Sequence, residues 1–127
     1  MGDNLGRTGK GIGSMPQIDE YRFGHIVIDG RERTRDVILL PDRVVDNWWR
    51  KDGHSLVVED LADVLEDLPR RLVVGTGAYG RMKPDPDALD ELRGRGIEIE
   101  LHETDEAVRR YSALDAASTA AALHLTC

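Results

Sequence analysis

Residues 71–80 read Arg-Leu-Val-Val-Gly-Thr-Gly-Ala-Tyr-Gly, an apolar strand that runs straight into a glycine loop with G-x-G-x-x-G spacing. A helical pattern over residues 87–94 and an alternating stretch over 97–101 follow, so this part of the chain reads as a β-loop-α-β unit. In a dinucleotide fold such a loop would turn backbone N–H groups toward a pyrophosphate at a helix N-terminus. Here Pro84 and Pro86 separate the last glycine from the helix, so the helix dipole does not begin at the loop.

Three readings of Gly75, Thr76, Gly77, Gly80 and Arg81 stay open. The glycines can make a tight strand exit where backbones approach closely, and this reading weighs most. They can form a nest for an anion, helped by Arg81 and Lys83. They can belong to a dinucleotide site, with Glu100 or Glu103 near the place of the ribose-binding acid, although a short chain lacks the remaining strands of that fold.

A chain of 127 residues with 40% hydrophobic and 32% charged residues is one ordinary globular domain. Residues 1–16 are expected to form a flexible leader, because five of the thirteen glycines lie in 1–14 beside only Leu5 and Ile12. A single α/β domain over 17–127 follows. Gly9 and Lys10 do not make a phosphate loop, since Asn4 stands where the upstream glycine belongs.

Within the domain, Tyr21, Phe23, Ile26 and Ile28 predict short strands bent at Gly24, and Asp29-Gly30 predicts a hairpin turn. Residues 34–40 predict an apolar strand stopped by Pro41. A helix is expected over 60–68 from Leu61, Val64, Leu65 and Leu68, ended by Pro69. Ile97, Ile99 and Leu101 are expected to point inward, with Glu98 and Glu100 outward. Thr104 is the expected N-cap of a helix whose apolar face is Ala107, Val108, Tyr111 and Leu114, with Glu106 paired to Arg110. A last strand is expected over 119–125. Two right-handed crossovers then place the strands at 72–75, 97–101 and 119–125 in one sheet. The fold class is α/β, a single three-layer domain with a mixed central sheet and an added β-hairpin region in the N-terminal half.

The formal net charge of −7, with no basic stripe, argues against nucleic acid and against an anionic membrane surface. No apolar run is long enough to span a bilayer, and the first residues lack the core of a signal peptide. One cysteine, Cys127, leaves no internal disulfide to form. A cytoplasmic location is expected, as a monomer or small homo-oligomer.

Candidate sites are few. Trp48, Trp49, Arg50 and His54 form a cluster; on a strand, adjacent tryptophans face opposite ways, so one can be core while the other meets a partner. His124 and Cys127 evoke a thiol–imidazole pair, but an odd separation on a strand parts them, and a chain-terminal carboxylate opposes thiol activation. His102, Glu103 and Glu106 loosely evoke a metal site with no second ligand cluster. No catalytic residues, metal or cofactor are assigned. Enzymatic activity is left open, with a non-catalytic role favoured.

Several segments together are similar to a known family: Tyr21-Arg22-Phe23-Gly24 with Ile28-Asp29-Gly30, Asp36-Val37-Ile38 before Pro41, and Trp48-Trp49-Arg50 with Gly53-His54. Val73-Val74-Gly75-Thr76-Gly77, Gly96-Ile97-Glu98, the run Glu106-Ala107-Val108-Arg109-Arg110-Tyr111-Ser112 and the closing Leu123-His124-Leu125-Thr126-Cys127 complete the set. Over residues 17–127 the chain resembles the small uncharacterised-domain family that includes mitochondrial complex I assembly factor 3 and the adipogenesis-associated domain-containing protein. The resemblance implies a three-layer α/β fold with a mixed sheet. It brings no agreed catalytic residues, and its mitochondrial member works by protein–protein contact in assembling a respiratory complex. The leading expectation is therefore a protein-interaction or assembly-type factor with an unknown protein partner. The alternative is a small-molecule or anion-binding domain, as a binding module or an enzyme, with its pocket at the loop of residues 75–80.

Overall fold

Two apolar faces on one set of strands dictate the layers. Strands β4 (Val37–Leu40), β7 (Arg71–Gly75) and β10 (Thr119–Leu123) are almost wholly buried. With β5 (Arg43–Val45) and β9 (Glu98–His102) they make a sheet ordered β5-β4-β10-β7-β9. β10 runs parallel to β7 and antiparallel to β4, and β9 runs parallel to β7, so the sheet is mixed. The computed structural model describes residues 15–127. The leader expected over 1–16 lies, as far as residue 14, outside the described residues. Pro16 is buried, and its carbonyl accepts from Tyr111 Oη at 3.1 Å.

Alternation sorts the side chains. Ile38, Leu40, Leu72, Val74, Ala120 and Ala122 face one layer, which contains α1 (Pro86–Gly94) and the segment around Leu61 and Val64. Val37, Leu39, Val73, Ala121 and Leu123 face the other, which contains α2 (Thr104–Ala113) and a small antiparallel sheet. That sheet is β1 (Ile18–Arg22), β2 (His25–Ile28) and β3 (Arg31–Arg33). The β2–β3 turn is Asp29-Gly30, with positive φ at both residues as a type I′ hairpin requires. The chain steps outward from β7 to β9 through α1, then back across β7 to β10 through α2. Reversing direction while keeping the right-handed crossover puts the two helices on opposite faces. The predicted three-layer α/β architecture is the one observed.

Several elements differ from the sequence pattern. The helix expected over 60–68 is two 3₁₀ turns, Val58–Leu61 and Leu65–Asp67. Its i→i+3 bonds (Ala62 N–H to Glu59, Val64 N–H to Leu61) still carry Leu61 and Val64 into the core. Meanwhile the Asp60 carboxylate turns back to accept from the Val57 and Lys51 amides. Ser55–Leu56 (β6) pairs with Lys83–Pro84 (β8).

Thr104 does not cap α2. Its hydroxyl is drawn into the interior instead, and Glu103 occupies the N-cap. Glu106 pairs with Arg109, because Arg110 reaches across to Glu100 on β9. On that edge strand Glu100 is therefore half-buried, while Leu101, beyond the cover of the helices, is 40% exposed rather than inward.

Candidate functional site

The glycine loop lies at the carboxyl end of β7, where the crossovers part to opposite faces. In open α/β sheets that position opens a crevice. Here the chain's own last residues close it. The Ala78 amide donates to Thr126 O at 2.6 Å and the Arg81 amide to Cys127 O at 3.0 Å. Gly77, at φ +108°, passes so close that a Cβ would collide with the Cys127 carbonyl.

Four more amides of this stretch are engaged too. Thr76 N–H donates to His102 O, Gly77 N–H to Thr104 Oγ1 at 2.9 Å, Gly80 N–H to Gly77 O and Met82 N–H to Thr76 O. The Thr104 hydroxyl completes the link by donating to His124 O at 2.6 Å. The loop thus ties β7, α2 and the C-terminal segment together. The following helix begins at Pro86, with Asp85 at the N-cap position, well past Gly80. Tyr79 stands 66% exposed at the tip, its ring centroid 6.0 Å from that of Phe23.

Trp48 and Trp49 lie just past β5 in an extended segment, not on the strand, after a turn in which Asn47 has φ +56°. Their side chains still diverge. Trp48 is 7% exposed, its amide donates to Asp36 O, and its indole N–H donates to Asp60 O at 2.8 Å. Trp49 is 76% exposed. Both line a groove of about 430 Å³, with Ile38, Leu61 and Val64 in its floor and Asp46, Glu59, Asp60 and Asp63 around it. His54 is exposed nearby, its carbonyl accepting from Lys83 N–H.

Arg50 turns away from this surface, and here sequence reading missed a feature. Its guanidinium, 5.0 Å from the Trp48 ring centroid, is buried beside Asp36 and His124. Arg50 Nη1 donates to Asp36 Oδ2 at 2.7 Å, and Nη2 donates to Gly53 O. His124 Nδ1 lies 2.8 Å from the same Oδ2 and 3.2 Å from Arg50 Nη2. A ring nitrogen cannot donate and accept at once, and arginine only donates. The shorter, charge-assisted contact decides: Nδ1–H donates to Asp36.

Asp36 Oδ1 accepts from the Leu125 amide at 2.8 Å. Burial on its own would raise the Asp36 pKa. The hydrogen bonds from His124, Arg50 and Leu125 outweigh it and hold the carboxyl below its ordinary range. A signal for this network existed: Asp36, Arg50 and His124 are charged or titratable groups set against apolar runs, where burial demands partners.

The imidazole of His124 is therefore committed to Asp36. His102 Nε2 contacts Glu100 at 3.0 Å, and Arg110 grips both Glu100 oxygens at 2.8 Å. The Arg110 hydrogen bonds pull the Glu100 pKa down to about 2. Among the described residues, no group of three or more His, Cys, Asp or Glu side chains is placed to hold a metal ion. No helix among them is long and apolar enough to cross a membrane.

The layers, the two crossovers and the closed glycine loop define a small three-layer α/β domain. A Bordetella pertussis protein described as a Mth938-like domain shares this fold, with a TM-score of 0.70 over 95% of this chain and 92% of its own, at 17% identity. The chain belongs to the family described as protein of unknown function (DUF498/DUF598), whose pattern matches residues 18–125. A conserved hypothetical protein from Pyrococcus horikoshii is 28% identical, with a TM-score of 0.74 over 87% of this chain and 99% of that one. The mouse protein NADH dehydrogenase (ubiquinone) 1 alpha subcomplex assembly factor 3 is 31% identical over 100 residues, 76% of this chain and 52% of its own length. The chain spans about half of that relative.

Proposed function

We propose that this chain is a non-catalytic protein-interaction factor of the assembly type, and that Trp49 and the groove beside it meet the partner. The observation that carries this reading is the 76% exposure of Trp49 next in the chain to a buried, anchored Trp48. An exposed indole on a rigid base offers large apolar area with little side-chain entropy to lose, which is the character of an interface hot spot. The mouse relative, named as an assembly factor, supports the same class of role.

The rival reading, an anion or small-molecule site at the glycine loop, draws less support. The amides of Thr76, Gly77, Ala78, Gly80 and Arg81 already have partners within the chain.

Affinity capture from an extract of the source organism, with wild type and Trp49→Ala as parallel baits, tests the proposal. A protein retained by the first and lost by the second is expected. An identical set of captured proteins overturns it. A panel of phosphates, nucleotides and small carboxylates is expected to leave the melting temperature unmoved; a saturable shift would revive the loop.

A further inference from the structure

We propose that the groove at Trp49 receives a basic segment of the partner protein, a Lys or Arg side chain lying against the Trp49 indole with its charge between Glu59 and Asp63. This rests on the reading of Trp49 as an interaction surface and adds the chemistry of what binds there.

The lining carries four carboxylates, Asp46, Glu59, Asp60 and Asp63, against one cation, Lys51. They are not equivalent. Asp46 is already paired with Arg33 Nε at 2.5 Å. Both oxygens of Asp60 accept from backbone amides, so that its charge stays fixed at the inner wall. Glu59 and Asp63 are exposed and have no cation paired to them among the described residues. Two uncommitted carboxylates thus stand at the mouth of a groove whose floor is apolar.

That combination suits the amphipathic build of Lys and Arg. The aliphatic stem lies along the accessible apolar lining, Val45, Ala62 and the Trp49 ring, and the charged head stays at the wet rim. The exposed indole face adds a cation–π contact that an acidic or neutral side chain cannot make. The chain's net charge of −7 works in the same direction, drawing basic segments in and repelling acidic ones. A groove of about 430 Å³ has room for a few side chains of an extended segment, not for a globular surface.

The test uses the full chain and dye-labelled octapeptides of alternating Arg-Gly, Ser-Gly and Glu-Gly, read by fluorescence anisotropy. The salt is kept at about 0.01 M, where the Debye length is about 30 Å. Saturable binding of the Arg-Gly peptide alone is expected, weakened about threefold to tenfold by Glu59→Gln/Asp63→Asn, and weakened further by Trp49→Ala. Absence of Arg-Gly binding, equal binding of the Ser-Gly or Glu-Gly peptide, or indifference to the charge variant overturns the proposal. So does binding that appears only after residues 1–14 are removed, which would give the groove to the chain's own leader. A dimer abolished by Trp49→Ala would give it to a second copy.

Capture separates this failure from that of the underlying reading. A partner lost with Trp49→Ala but kept with Glu59→Gln/Asp63→Asn leaves the interaction surface standing and removes its basic ligand.

Discussion

His124 Nδ1 and Asp36 Oδ2 meet at 2.8 Å across 88 residues of sequence, and Arg50 shares the same oxygen. This contact fastens the C-terminal segment to the start of β4. Removing one partner of such a cluster leaves a charge buried without compensation, which costs far more than the cluster contributes as a whole. Asp36→Asn keeps an oxygen for the Leu125 amide but strands the Arg50 guanidinium, so a loss of about 3–5 kcal/mol is expected in urea unfolding. Adding Arg50→Met to that variant should recover at least about 1 kcal/mol, since the stranded charge disappears. Additive losses in the double-mutant cycle would show that the three groups do not act together.

Acid should expose the carboxylates. Glu100, held at a pKa of about 2 mainly by Arg110, contributes stability that is present above its ordinary pKa near 4.5 and is lost as pH falls toward 2. Asp36, also lowered, adds a loss that begins below about 3.8. Arg110 is partly exposed, so solvent screens the pair. Glu100→Gln should therefore cost about 1–2 kcal/mol at neutral pH and almost nothing at pH 2. Unfolding free energies measured from pH 7 to pH 2 check this. A variant that stays equally destabilised at both ends would assign the effect to packing.

Gly77 and Gly30 both have positive φ, but only Gly77 is crowded, by the Cys127 and Thr126 main chain. Gly30→Ala carries the backbone strain alone, about 1 kcal/mol. Gly77→Ala must in addition push the C-terminal segment off the loop, weakening the bonds from Ala78 and Arg81, for a total of about 2–4 kcal/mol. Melting temperatures should fall in that order. Equal shifts would mean that residues 126–127 hold the loop only loosely.

The fold was legible where local pattern and burial agree. The apolar runs at Val37–Leu40 and Thr119–Leu123, the Asp29-Gly30 turn and the proline-delayed start of α1 all point to one answer. Pattern failed where a side chain answered to a distant partner. Thr104 has the form of an N-cap, yet two buried backbone groups, Gly77 N–H and His124 O, claim its hydroxyl. Glu106 and Arg110 have ideal spacing on α2, yet Glu100 on the neighbouring strand offers Arg110 a two-pronged contact. Of the candidate surface, the divergence of Trp48 and Trp49 was readable from adjacency. The inward turn of Arg50 was not, because its partners lie 14 and 74 residues away.

The tryptophan pair separates interior from surface in one comparison. Trp48→Ala empties a core position, breaks the bond to Asp60 O and takes the ring from under Arg50, so a loss of about 3–5 kcal/mol is expected. Trp49→Ala removes a side chain that is mostly in water and should change stability by no more than about 0.5 kcal/mol. Urea unfolding followed by circular dichroism, which needs neither indole as reporter, measures both. Losses of similar size would place the Trp49 ring in the groove rather than over it, and the surface offered to a partner would be closed.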